Sequence, residues 1–126
     1  MDEKERIEAI DELVKFCIEK GGLHKAQEAA ELGASQGVID SLVKALIEEG
    51  ERLFVGEAED FCKKATFRAA QKVATLGASQ QAIDSLVEAC IRAGFISMAQ
   101  EAAKLGGREL TTEEIKNLIA SIQRKN

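Results

Sequence analysis

The sequence predicts an all-α domain of stacked antiparallel helix hairpins, and three observations carry that reading. The segment GASQGVIDSLVKALIEEG (33–50) returns as GASQQAIDSLVEACIRAG (77–94), with 12 of 18 positions identical at an offset of 44 residues. Apolar residues recur along the whole chain at the spacing of one helix stripe. The 126 residues include no Pro, Trp or Tyr and only five Phe. Ala, Leu, Ile, Glu and Lys dominate instead, a composition that favours helix over sheet.

Four segments form one class of helix, type A. Ile10, Leu13, Val14, Cys17 and Ile18 fall at steps 0, +3, +4, +7 and +8. Ile39, Leu42, Val43, Leu46 and Ile47 repeat those steps, as do Ile83, Leu86, Val87, Cys90 and Ile91. Ile115, Leu118, Ile119 and Ile122 follow the first four steps. Gly21, Gly50 and Gly94 end the first three copies, where a left-handed glycine closes a helix.

A second class, type B, reads LHKAQEAAEL (23–32), FRAAQKVATL (67–76) and ISMAQEAAKL (96–105). Leu23, Phe67 and Ile96 each precede a small-residue stripe (Ala26, Ala29 and Ala30; Ala70, Val73 and Ala74; Ala99, Ala102 and Ala103), which Leu32, Leu76 and Leu105 complete. Small stripes let helix backbones approach closely, as hairpins require.

The A-type starts are separated by 29, 44 and 32 residues, so the unit is about 29 residues with one 15-residue insertion at 51–65. Within and after it, Ala58, Phe61, Cys62, Ala65, Ala69 and Val73 keep helical spacing, which predicts one long helix over 57–76. The alternative makes 51–62 a degenerate B helix whose following A helix is lost. Thr111 and Glu114 open the last A-type helix as a capping box. That helix has no B partner and a polar outer side, as a terminal cap of a repeat array has. The expected architecture is a single α-helical repeat domain, 1–126, of about seven helices, α-solenoid-like with a C-terminal capping helix.

The stretch IDSLVEACIRAGFISMAQEAAKL (83–105) resembles a helix pair of the tetratricopeptide and pentatricopeptide repeat superfamily. Leu86–Val87, the Ala93–Gly94 turn and Ala99 stand where such repeats carry those residues. The resemblance covers most of 10–105 and implies a binding scaffold. Tetratricopeptide repeats clamp peptides and partner proteins on a concave face lined by first helices, and pentatricopeptide repeats read single-stranded RNA. The base-contacting positions of the latter fall near Gln36 and Ser41, and again near Gln80 and Ser85.

Charge and motifs narrow the function classes. A net charge of −5 and few aromatic residues do not favour a polyanion partner. Cys17, Cys62 and Cys90 are odd in number and widely spaced, so reduced thiols in a cytoplasmic protein are expected rather than disulfides or zinc. No signal peptide and no membrane-length apolar run are read. His24, the single histidine, lies outside the apolar stripe and is expected to be exposed, without a catalytic thiol. GASQ is read as helix punctuation, with Ser35 and Ser79 as caps, in preference to an anion cradle. EAED (57–60) and Glu48–Glu49 lack calcium-loop or di-iron spacing, so no metal and no cofactor is expected.

The sequence therefore points to a non-enzymatic module that binds a protein or peptide. The expected surface is the polar side of the A helices: Asp40, Ser41, Lys44 and Glu48, then Asp84, Ser85, Glu88 and Arg92. Asp11, Asp40 and Asp84 recur one residue after the first stripe Ile, either facing a shared groove or favouring a helix start. Single-stranded RNA binding is the alternative, and homodimerisation with the 57–76 helix as an arm is a third.

Overall fold

The computed structural model describes residues 2–52 and 57–125. Among them are seven helices and no strand: α1 (Glu3–Glu19), α2 (Leu23–Ala30), α3 (Gln36–Arg52), α4 (Glu57–Ala74), α5 (Gln80–Arg92), α6 (Ile96–Leu105) and α7 (Thr112–Lys125). The odd-numbered helices are the A-type segments and the even-numbered ones the B-type. None of the described helices is long and apolar enough to cross a membrane.

Local chemistry sets the helix ends. The Asp2 carboxylate accepts the Glu5 N–H at 2.8 Å and caps α1. At its other end Gly21 takes φ +77°, and Gly22 N–H reaches back to the Cys17 carbonyl at 2.8 Å. The same closure recurs after α5, with Gly94 at φ +83° and Phe95 N–H on the Cys90 carbonyl. The capping box at α7 forms as expected. Glu114 N–H donates to Thr111 Oγ1 at 3.1 Å, and Thr111 N–H donates to Glu114 Oε1 at 3.4 Å.

Consecutive helices pack in pairs, α1 with α2, α3 with α4 and α5 with α6. The odd helices also touch in order, α1 on α3, α3 on α5 and α5 on α7. The core takes its large side chains from the odd helices, among them Val14, Leu42, Leu46 and Leu86. The even helices supply mostly small ones, such as Ala26, Ala70, Ala99 and Ala103, with Phe67 of α4 and Met98 of α6 as large exceptions.

Four expectations are corrected. Gly50 does not terminate its helix: α3 runs on to Arg52, and Gly50 is buried within it. Its bare backbone seats the fully buried ring of Phe67 from α4, which also meets Phe95 edge-on at 6.0 Å between centroids. Phe67, Ala70, Val73 and Ala74 are buried as the type B stripe predicts, together with Lys63, but Cys62 and Ala65, expected on the same apolar face, are exposed. Leu32, Leu76 and Leu105 are exposed as well, the first two in turns two residues past the ends of α2 and α4 and the third as the last residue of α6, and so is Leu13 on the first helix.

The long helix expected over 57–76 is α4, ending two residues early. The alternative of a separate helix at 51–62 fails, since 51–52 belong to α3 and 57–62 to α4. Residues 53–56 lie outside the described residues, as do the side chains of Ala58 and Phe61.

A Cβ at position 50 would stand 2.7 Å from Cε1 of Phe67. Gly50→Ala is expected to destabilise by about 1–3 kcal/mol through overpacking, which thermal unfolding measures, and Phe67→Leu in that background should recover part of the loss.

Candidate interaction cleft between α3 and α5

Six of the eight expected surface residues come together. Asp40, Lys44, Glu48, Ser85, Glu88 and Arg92 line one cleft of about 460 Å³ between α3 and α5, over a floor that includes Val43, Ile47 and Ala82. Helical spacing explains the grouping, since 40, 44, 48 and 51 recur on one side of α3. Glu51 also lines the cleft, and sequence reasoning missed it because Gly50 was read as the helix end. Among the described lining residues, four carboxylates against two cations give a formal charge of −2.

Two cross-links bound it. At one end Asp40 Oδ1 accepts the Ser79 N–H at 2.8 Å, ahead of the first turn of α5. At the other, Arg92 of α5 donates to Glu51 of α3 at 2.5 Å and to Glu88 at 3.1 Å. Positions 40 and 51 are about 16 Å apart along α3 at the usual helical rise, the length of roughly five residues of extended chain. Both partners of the Arg92–Glu51 pair are more than a third exposed, so the pair contributes roughly 0–1 kcal/mol.

The other two expected residues lie elsewhere. Ser41 is exposed and its hydroxyl donates to the Gly37 carbonyl at 3.1 Å; Ser85 does the same to Gln81. Asp84 accepts from Arg108 at 3.1 Å and from Gln80 Nε2 at 2.9 Å. Gln80, one of the positions matched to base reading, is thus held by its own helix. Asp11, the third recurrent aspartate, accepts the Ser35 N–H at 2.8 Å. The recurrent aspartates therefore join successive odd helices.

The remaining groups that invited chemistry have plain surroundings. Ser79 caps α5, accepting the Ala82 N–H at 3.2 Å. His24 is exposed and pairs with Glu28 at 3.1 Å on the same helix. Cys90 is wholly buried, and burial, reinforced by Glu101, pushes its thiol up to about 12, so it behaves as a small hydrophobe. Among the described residues no cluster of three or more His, Cys, Asp or Glu is placed to hold a metal ion. Compared with protein-family models, curated proteins and solved structures, the chain matches none.

Removing the Asp40 carboxylate leaves a half-buried N–H at Ser79 without its charged acceptor. Asp40→Ala is expected to cost about 1–3 kcal/mol in chemical denaturation, whereas Ser41→Ala should stay within roughly 0.5 kcal/mol.

Glu114 is held below the usual carboxylate range, first by the Thr111 N–H and then by Arg108. A depressed value means its contribution is complete above the ordinary Glu pKa and is lost as pH falls through the folded-state value. Acidification should therefore fray the start of α7 first, seen as faster amide exchange at 112–115, and Glu114→Gln should flatten that pH dependence.

Proposed function

We propose that the chain is a non-enzymatic, cytoplasmic helical-repeat module, related in design to tetratricopeptide scaffolds, which binds a short protein segment between α3 and α5. In this reading the helix pairs stack as a small α-solenoid with α7 as its terminal helix. The observation that supports it is the cleft itself. It is an apolar floor with a charged rim, closed at both ends by cross-links and about as long as five residues of extended chain. An apolar floor supplies contact area, and a mixed rim fixes orientation more than it adds affinity, so the interaction is modest and exchangeable. Single-stranded RNA fits less well, because the formal −2 of the described lining opposes phosphate and none of the described lining residues is aromatic.

The test is a capture of partners from the native cell, with and without nuclease, comparing the wild type with Lys44→Ala/Arg92→Ala. Partners that survive nuclease and are lost with the double variant support the reading. Calorimetry with the identified segment should then show a roughly tenfold weaker Kd for the variant, the equivalent of about 1.4 kcal/mol. Its melting temperature should stay within a few degrees, since only surface pairs are removed. Capture abolished by nuclease would favour RNA, and unchanged affinity in the variant would remove the cleft from the account.

A further inference from the structure

We infer that the groove between α4 and α6 is a second docking surface, which takes an acidic amphipathic helix of another protein. It is built on two even helices and shares no described lining residue with the α3–α5 cleft. The inference therefore does not rest on that cleft, and starts from a row of charge.

Lys64, Arg68 and Lys72 are all exposed and follow one another at four-residue steps on α4. Each step advances about 6 Å and turns the helix by only about 40°, so the three share one flank. No acidic residue stands three or four positions from Arg68 or Lys72, and the carboxylates of α4, Glu57, Glu59 and Asp60, fall in its first turn. Among the described residues no carboxylate pairs with Arg68 or Lys72, as carboxylates do with Arg52, Arg92 and Arg108. Like charges one turn apart repel, so the row costs the helix stability. The sister helices avoid that cost. At the two steps where α4 carries Arg68 and Lys72, α2 carries His24 and Glu28, paired at 3.1 Å, and α6 carries Ser97 and Glu101. Stacking gives no reason for three aligned cations in a chain of net charge −5.

The row borders a formed groove. Gln71 Nε2 of α4 donates to the Met98 carbonyl of α6 at 2.8 Å and fixes the two helices against each other. Two adjoining hollows of about 300 and 260 Å³ lie along this seam, and Arg68 and Glu101 line both. Lys72 lines the first and Lys64 the second. Among the described lining residues three cations stand against one carboxylate, Glu101, a formal charge of +2 and the opposite sign to the α3–α5 cleft. Apolar surface is present in both hollows: Leu105, 40% exposed, in the first, and half-buried Phe95 and Ile96 in the second.

Charge and spacing select the occupant. A helix with Asp or Glu at every fourth position sets carboxylates about 6 Å apart, the interval of the cation row, and an apolar row beside them meets Leu105. RNA matches less well. Glu101 stands within the groove, and the half-buried Phe95 ring already holds the Lys64 ammonium 5.3 Å from its centroid, so it offers poor stacking for a base. Exposed ion pairs are individually weak, so a Kd on the order of 100 μM is expected at low salt, rising as salt is added.

Fluorescence anisotropy tests this with a labelled Ala-based helix of about 18 residues, carrying Glu at every fourth position and Leu alongside. A peptide of the same composition in shuffled order should bind several-fold more weakly. Arg68→Glu/Lys72→Glu, shown to be folded by circular dichroism, should weaken the ordered peptide at least about tenfold. Lys4→Glu/Lys15→Glu makes the same change in net charge at exposed positions of α1 and should leave the affinity within about twofold. If the double reversal on α4 disturbs folding, Lys72→Gln alone should weaken binding several-fold. Equal binding of the ordered and shuffled peptides, or equal losses in the α4 and α1 variants, would overturn the proposal. So would a labelled oligouridylate that binds more tightly than the ordered peptide, or a wild-type self-association abolished by Arg68→Glu/Lys72→Glu, which would give the groove to RNA or to a second copy.

Discussion

An aspartate carboxylate on one odd helix, closed on the start of the next, is the joint on which this structure depends. A helix begins with backbone N–H groups that have no partner within it, and a carboxylate answers both their hydrogen-bonding need and the positive end of the helix dipole. Asp11 does so at Ser35 and Asp40 at Ser79. At the third joint the polarity of the partner is kept and its type changes: Asp84 meets the Arg108 guanidinium, which also reaches Glu114 in the capping box of α7. Each joint sets where the next helix starts, and packing follows from there.

The cleft is a by-product of that arrangement. Joined near its beginning and bridged by Arg92 and Glu51 near its end, the α3–α5 pair is held at two places. Between them short or charged side chains form the rim, Val43 and Ile47 lie buried in the floor beside half-buried Ala82, and Leu42 and Leu86 are buried on the inner sides of the helices. Binding surface and stacking surface are thus different sides of the same two helices, and one can vary without dismantling the other.

Much of this was legible in the chain. Helix number and type followed from the apolar stripe, because a 3.6-residue period is a local property that packing seldom overrides. Grouping of Lys44, Glu48, Glu88 and Arg92 was legible for the same reason. Two features were not. Gly50 looks like a helix stop, and only the Phe67 ring, 17 residues on, reveals it as a seat. The aspartates look like solvent-facing helix-start residues, and their bonds to positions 24 or 39 residues away are long-range facts that no local pattern states. What did hint at them was strict recurrence at a polar position that the apolar stripe leaves free.

The two joints of the same chemistry span different lengths of chain, 24 residues from Asp11 to Ser35 and 39 from Asp40 to Ser79, and the difference is the 15-residue insertion. The extra chain is spent on extending α3 to Arg52 and on the early turns of α4, yet the bond at its far side keeps the same 2.8 Å length. A scaffold jointed this way gauges the meeting of two surfaces and ignores the path between them. An interval can therefore lengthen within one hairpin while the joint at its far side keeps its geometry.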